Sequence, residues 1–413
     1  MSLNRREEAE QYWLQSVKLR PSYFEAVEHL IGLLCAEHRG GEAVGIIEFV
    51  ERSLRISGLE AQQDEISTPD NNPFTQRKHH RRYTSNESSG DAGCWSSDSK
   101  LTSGESVAED DSINQSGFGS SGYAIQGSEN GRMLALVHAK GNMLYALGDI
   151  TGAEHAFEDA VLIGAGRRLQ GIRGLIQKIL NVLSMNEGGT SAEPKGLMAS
   201  PLLLPPDKAL RTAKLVFTRH GELPGLRYVP EGIAKNAAIS TTSNSLLSLA
   251  KIFQDGMSNT QSLKVPRRPS GVGDILALYY LSLSLQPSPS TANNVGILLA
   301  SVQQTVSIPS TISNDHSSIP AIPGVVPGSG IALALAYYNY GLNLDSRHAH
   351  LYTNLGSLLK DIGQLTAAIK MYEQAVACDG NFDIGKFPCY VLNSKFEIIL
   401  LTIRKRLQTL QMP

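Results

Sequence analysis

Cysteine is scarce and scattered. Cys35, Cys94, Cys378 and Cys389 show no Cys-x-x-Cys spacing and no histidine at metal-ligand intervals, which argues against zinc and against a disulfide framework and fits a reducing compartment. Charge of one sign is lacking too. With 37 basic and 39 acidic residues the formal net charge is -2, so no global excess points to nucleic acid or a polyanionic substrate. No window holds the roughly 18 apolar residues of a membrane span. The N-terminus, Met1-Ser2-Leu3-Asn4-Arg5-Arg6-Glu7-Glu8, lacks the apolar core of a signal peptide, so cytoplasm or nucleus is the expected location. There is no Walker G-x-x-x-x-G-K-[ST] and no H-E-x-x-H. Catalytic residues, metals and cofactors are therefore not expected of this chain.

What is present is helical periodicity in blocks. The chain has 413 residues, 41% of them hydrophobic, enough for cores in part of that length. Residues 1–56, 131–186, 244–300 and 331–384 carry Ala, Leu and Tyr at helical spacing. The stretches between differ sharply. Residues 57–130 are Ser, Asn, Asp, Gly and Gln-rich, with a basic run at Arg77-Lys78-His79-His80-Arg81-Arg82 and an acidic one at Glu109-Asp110-Asp111. Such a composition buries too little apolar surface to offset its ordering entropy and reads as disordered. Residues 187–243 contain Pro201, Pro205, Pro206, Pro224 and Pro230 and read as an irregular connector. Residues 301–330 contain Pro309, Pro320, Pro323 and Pro327 and read as a proline-rich insertion. Residues 385–413 form a divergent tail.

The clearest unit runs from Ala349 to Phe382. Tyr352, Leu355, Gly356 and Leu359 share one stripe of a first helix, and Gly363 supplies a turn tolerant of positive φ. Ala368, Tyr372 and Ala375 form the stripe of a second helix. Gly356 and Ala368 are small where two backbones approach, and Tyr372 fills the space they leave. Gly141, Leu144, Gly148, Ala153, Phe157 and Ala160 repeat these intervals. Interrupted copies follow the same logic. Asn294, Val295, Gly296 and Leu299 pair with Ala334 and Tyr338 beyond a proline-rich stretch, and Leu246, Leu249, Ala250 and Phe253 pair with Ile275, Tyr279 and Ser282. Near the N-terminus Trp13 and Pro21 end one hairpin, and Leu30, Leu34, Ala43 and Ile47 form the next with a register that slips by a residue.

This spacing resembles the tetratricopeptide (TPR) repeat, and the expected fold is all-α, a TPR-like helical-hairpin solenoid interrupted by long disordered insertions. Such hairpins stack to form a core and leave a groove lined by first helices. The expected partners are other proteins or peptides, with self-association left open and no nucleic acid or integral membrane segment. The run Tyr337-Tyr338-Asn339-Tyr340-Gly341-Leu342-Asn343-Leu344-Asp345 through Leu365 further resembles the repeat region of fungal protein O-GlcNAc transferases, as do Leu202 to Leu210 and Leu246 to Met257. The resemblance implies a superhelix that selects protein substrates for a glycosyltransferase domain, which is absent from this chain; no catalytic or nucleotide-binding residue carries over. It also implies groove asparagines that hold a peptide backbone, since an amide offers both a donor and an acceptor. Asn294 and Asn354 match that position, two residues before Gly296 and Gly356, whereas Ala139 stands there before Gly141. A stand-alone TPR adaptor is the alternative reading.

After Asp383-Ile384 the resemblance stops. Gly385-Lys386-Phe387 is consistent with a translated splice donor, making the tail intron read-through. Phe396, Ile399, Leu400, Ile403, Leu407 and Leu410 nevertheless recur at helical intervals, with Arg404, Lys405 and Arg406 among them. The tail is expected to cap the last repeat, to lie on an anionic membrane surface, or to be amphipathic by chance.

Three motifs carry less weight. Thr218-Arg219-His220-Gly221-Glu222, after Leu215-Val216-Phe217, is similar to the histidine-phosphatase motif, in which a His at a strand end accepts a phosphoryl group; a phosphatase acting through His220 is the remote alternative. Gly117-Phe118-Gly119-Ser120-Ser121-Gly122 fits a dinucleotide motif in letters only, following Ser112-Ile113-Asn114-Gln115-Ser116 rather than a strand. The basic run at Arg77 to Arg82 reads as a solvated charge run before a nuclear-localisation signal.

Overall fold

The computed structural model describes residues 5–56, 121–166, 171–186, 201–258, 271–302 and 325–379. The longer helices, numbered in chain order, are α1 Arg6–Leu19, α2 Phe24–Ala36, α3 Gly40–Leu54, α4 Asn130–Ala146, α5 Ile150–Ala165, α6 Gly171–Asn186, α7 Ile233–Ser258, α8 Val272–Leu285, α9 Pro289–Ser301, α10 Gly330–Leu344, α11 Ala349–Asp361 and α12 Leu365–Cys378. Among the described residues no strand forms, and one isolated antiparallel bridge joins Arg55 and Tyr123.

Among the described residues five hairpins stack in the solenoid: α2–α3, α4–α5, α7–α8, α9–α10 and α11–α12. Each has its first helix packed on the second, and successive hairpins join through α3 on α4, α5 on α7, α8 on α9 and α10 on α11. The small-against-large rule read from the sequence sets the closest approaches. A Cβ added to Gly141 would lie 2.7 Å from the Phe157 ring, one at Gly356 would lie 3.0 Å from the Tyr372 ring, and one at Gly296 would overlap the ring of Tyr338. The last of these joins α9 to α10 across residues 303–324, so the interrupted copy is one hairpin. In α7–α8 two buried serines clasp the helices instead: Ser243 Oγ donates to the Ser282 carbonyl and Ser282 Oγ to the Ser243 carbonyl, both at 2.9 Å.

The turns share one geometry. Gly148 and Gly363 adopt φ of +84° and +83°, and the N–H groups of Asp149 and Gln364 reach back to the carbonyls of Leu144 and Leu359. The N-terminal hairpin does the same with a histidine: His38 has φ 60°, and the Arg39 N–H donates to the Leu34 carbonyl at 2.9 Å. Its register therefore does not slip. Ile31 stands where Gly141 and Gly356 stand, and Ile47 where Phe157 and Tyr372 stand, with bulk moved from the second helix to the first. A left-handed conformation costs an L-residue roughly 1–2 kcal/mol, offset in part by glycine's freedom in the unfolded chain. His38→Gly should raise the unfolding free energy by about 0.5–1 kcal/mol in urea titration. No gain, or a loss, would mean that the imidazole makes a compensating contact.

Two stretches differ from the expectation. Residues 201–230, read as an irregular connector, pack tightly, with Leu204, Ala209, Ala213, Val216, Phe217, Leu223, Leu226 and Val229 buried. Aromatic hydroxyls tie the strand-like start of this stretch to the second helices. The Leu204 N–H donates to Tyr280 Oη at 3.1 Å, and Tyr337 Oη donates to the Leu204 carbonyl at 3.0 Å. Gly225 passes so close to the Ile163 carbonyl that a Cβ would overlap it, and Asn130 Nδ2 donates to the Gly225 carbonyl at 2.8 Å. Helix α7 begins at Ile233, inside the span read as connector up to 243. The serines and threonines there have weak helix propensity, but their hydroxyls bond back to carbonyls one turn earlier, as Thr242 does to Ala238 at 2.9 Å. Likewise residues 121–130, read as the end of a disordered insertion, are packed, with Ser121, Tyr123, Ile125 and Asn130 buried. The readings for residues 57–120, most of 301–330 and the tail lie outside the described residues.

Helix α6 belongs to no hairpin. It packs on α5, on α8 and on the short helix Thr212–Val216. With residues 201–210 it covers the second-helix side of the central hairpins. The first helices α4, α7, α9 and α11 contact one another in succession and form the opposite side.

Candidate peptide-binding face

The glycines fix what the first helices present. Gly296 and Gly356 point at Tyr338 and Tyr372 on the second helices. A residue two positions earlier is rotated by about 200° and so faces away from the second helix. Asn294 and Asn354 occupy those positions, both half-buried. The structure joins Asn354 to a residue that spacing did not single out: its Nδ2 donates to Asn293 Oδ1 at 2.8 Å, linking α11 to α9. Asn293 is 8% exposed, so the bond is shielded from water, while Asn354 Oδ1 makes no hydrogen bond among the described residues and can act as an acceptor. Among the described residues Asn294 makes no hydrogen bond through its side chain. The adjacent Asn293-Asn294 doublet was the one sequence signal that could have found Asn293.

One helical turn further along each first helix stand Asn142, Lys251, Ile297 and Ser357. Ile297 is 37% exposed and Lys251 is exposed. Ser357 Oγ lies 3.0 Å from Tyr372 Oη. On α9 and α11 the face thus offers amides, a hydroxyl and one apolar side chain, Ile297, while Lys251 adds a positive charge on α7. Toward α2 it turns ionic, where Arg132 pairs with Glu28 at 3.3 Å and Glu25 at 3.9 Å. Uncharged amides and hydroxyls suit contact with main-chain peptide groups, which carry no net charge.

A histidine links α4 to α7 on the same side. His138 Nδ1 lies 2.9 Å from Ser245 Oγ, and Asn142 Nδ2 lies 3.1 Å from His138 Nε2. Ser245 Oγ donates to the Thr241 carbonyl at 2.8 Å, so its lone pair accepts from an Nδ1–H, and Nε2 accepts from the Asn142 amide. Both ring nitrogens are satisfied in the neutral form. Burial also holds His138 below the usual imidazole range. A depressed folded value means that His138 contributes stability above the unfolded imidazole value, about 6.5, and that this is lost as pH falls through the folded value. Between pH 7.5 and 5 the melting temperature of the wild type should fall by more than that of His138→Gln. Parallel pH profiles would show that His138 does not titrate with unfolding.

The sites considered on other grounds do not assemble. Thr212–Val216 and Thr218–Gly221 are short helices, so no strand leads to His220, which is exposed with φ 62°. Among the described residues no group of His, Cys, Asp or Glu could hold a metal ion, and no helix is long and apolar enough to cross a membrane. Cys35 is exposed, its Sγ 3.7 Å from Met143 Sδ. Cys94, Cys389, the Arg77 to Arg82 run and Gly117 to Ser120 lie outside the described residues.

The family model described as Tetratricopeptide repeat matches residues 349–381, the span of α11 and α12. The fold is a TPR-like helical-hairpin solenoid. The same Gly–aromatic contact and the same turn recur outside the matched span, in α4–α5, and the contact recurs in α9–α10. No curated protein matches the chain. A TPR repeat within a helical solenoid supports a protein-interaction scaffold, with other proteins as partners.

Proposed function

We propose that the face formed by α4, α7, α9 and α11 binds an extended polypeptide, with Asn294 and Asn354 holding its main chain, as the substrate-recognition arm of an O-GlcNAc transferase-like protein. The observation that carries this reading is the Asn354–Asn293 hydrogen bond, which engages the Asn354 amide nitrogen and leaves its carbonyl oxygen without a bonded partner among the described residues. The run from Tyr337 to Leu365, which resembles that family's repeats, supports the transferase link and places Asn354 at the family's groove position. Catalysis itself is assigned to a domain outside this chain. A glycosyltransferase reading frame joined by splicing near the codons for Asp383 to Lys386 would support that link, and its absence would favour the stand-alone adaptor.

Binding is tested with peptides selected from a random-sequence library. A net hydrogen bond contributes about 1 kcal/mol, and 1.4 kcal/mol is tenfold in affinity. Asn294→Ala/Asn354→Ala, which removes one such bond from each asparagine, should therefore weaken the selected peptides by roughly thirtyfold, across unrelated sequences, while circular dichroism stays unchanged. Equal affinity for the double variant would overturn the assignment of these two residues.

A further inference from the structure

Helix α4 holds an exposed amide at the end of a buried chain of hydrogen bonds. Two residues before Gly141, where α9 and α11 carry asparagine before their own glycines, stands Ala139. Asn142 lies three residues further on, rotated by about 60° from Ala139, and is exposed. Its register on α4 is that of Ile297 on α9 and Ser357 on α11, so it belongs to the same face.

The polarity of the chain of bonds is set from the inside. The Thr241 carbonyl can only accept, so Ser245 Oγ donates to it at 2.8 Å. Ser245 Oγ then accepts from His138 Nδ1–H at 2.9 Å, which leaves Nε2 of the neutral ring as an acceptor. Asn142 Nδ2 donates to that nitrogen at 3.1 Å. The Asn142 amide is thereby oriented with Oδ1 away from the imidazole, and among the described residues Oδ1 makes no hydrogen bond. A proton on Nε2 would oppose the Asn142 N–H, so the amide must then reverse and present its NH2 group.

The ring itself meets uncharged groups, Ser245 of α7 and Phe157 of α5, whose ring centre lies 5.5 Å away. Charged groups of the elements packed on α4 pair elsewhere: Glu51 of α3 with Lys140, Asp159 of α5 with Arg55, and Glu25 and Glu28 of α2 with Arg132. Glu158 of α5 pairs with His155, and Lys235 of α7 with Glu222 and Glu231. Glu154 of α5 and Lys251 and Asp255 of α7 stand about one turn or more along their helices from Phe157 and Ser245. Burial, rather than any of these charges, holds the ring below the usual imidazole range. The neutral ring therefore persists at neutral pH and is lost as pH falls through the folded value.

We propose that Asn142 is a third main-chain contact of the peptide-binding face and that His138 is its positioning residue, the neutral imidazole turning the Asn142 carbonyl toward a peptide N–H and the protonated one reversing it. This rests on the proposed function of that face. Its test measures selected peptides free of Asp, Glu and His from pH 7.5 to 5. One net hydrogen bond corresponds to about fivefold in affinity. Wild-type affinity should fall by about that factor as His138 titrates. Asn142→Ala should be about fivefold weaker at pH 7.5 and flat with pH, and His138→Gln, uncharged throughout, should be flat as well. Imidazole 15N resonances, assigned by their loss in His138→Gln, should show the Nδ1–H form at pH 7.5, and saturating peptide should lower the His138 pKa, since the coupling is reciprocal. A merely structural histidine would titrate alike with and without peptide.

Asn142→Ala binding as tightly as wild type at pH 7.5, while Asn294→Ala/Asn354→Ala binds more weakly, would overturn this proposal and leave the face intact. Parallel pH profiles for wild type and Asn142→Ala would overturn the positioning role of His138. No peptide binding by the wild type would overturn both readings.

Discussion

Glu51→Ala is expected to lower the unfolding free energy by about 3–5 kcal/mol, the cost of leaving one charge of a buried pair alone. Glu51 on α3 and Lys140 on α4 form an ion pair with side chains only 6% and 12% exposed. Tyr123 Oη donates to Glu51 Oε1 at 3.5 Å, and the Arg55 guanidinium lies 5.7 Å from the Tyr123 ring centre while pairing with Asp159 at 3.3 Å. This cluster joins the first two hairpins and fixes the return of the chain at Tyr123. Burial pushes the Glu51 carboxyl above its usual range, against the pull of Lys140. Desolvation thus outweighs the attraction, and the pair as a whole adds little over an apolar contact. Glu51→Leu/Lys140→Met should accordingly be much closer to wild type than Glu51→Ala in urea unfolding. A raised folded value also means that this group's contribution is greatest below the unfolded carboxylate value and declines as pH rises through the folded one. Equal losses in the single and double variants would show that Lys140 finds another partner.

Gly296→Val should be the second large loss, about 1–3 kcal/mol or more. The added side chain has no room, because a Cβ alone would already overlap the Tyr338 ring. Gly296→Ala/Tyr338→Leu should recover at least 1 kcal/mol of the loss of Gly296→Ala, since the second change empties the space the first one needs. The first hairpin already contains such an exchange, with Ile31 and Ile47 in place of the glycine and the aromatic and both well buried. If Gly296→Val and wild type melt together, α9 and α10 are not one hairpin.

The hairpins were legible where the side chains that set helix approach kept their types. Gly141 with Phe157 and Gly356 with Tyr372 sit at fixed spacing, and Gly296 with Tyr338 could be matched across an insertion because size complementarity does not depend on loop length. The N-terminal register was obscured because His38 replaces the turn glycine and because Ile31 and Ile47 reverse the sizes. The burial of residues 201–230 was not legible for a different reason. Pro201, Pro205 and Pro206 do prevent a regular helix, but burial there depends on Tyr280 and Tyr337, distant in sequence, supplying hydrogen bonds to Leu202 and Leu204. Of the candidate site, Asn354 and Asn294 followed from their spacing to a glycine. Asn293 did not, because its role comes from the approach of α9 to α11.

The most direct measurement places a photocrosslinking amino acid at Ile297, one turn beyond Asn294 on α9, and in a second chain at Gln177 on α6, exposed on the opposite side. Both are illuminated with the random-sequence peptide library. The expected result is crosslinking at position 297 that falls with Asn294→Ala/Asn354→Ala, and little at 177. Crosslinking that is equal at the two positions, or absent at 297, would contradict a polypeptide-binding face on the first helices.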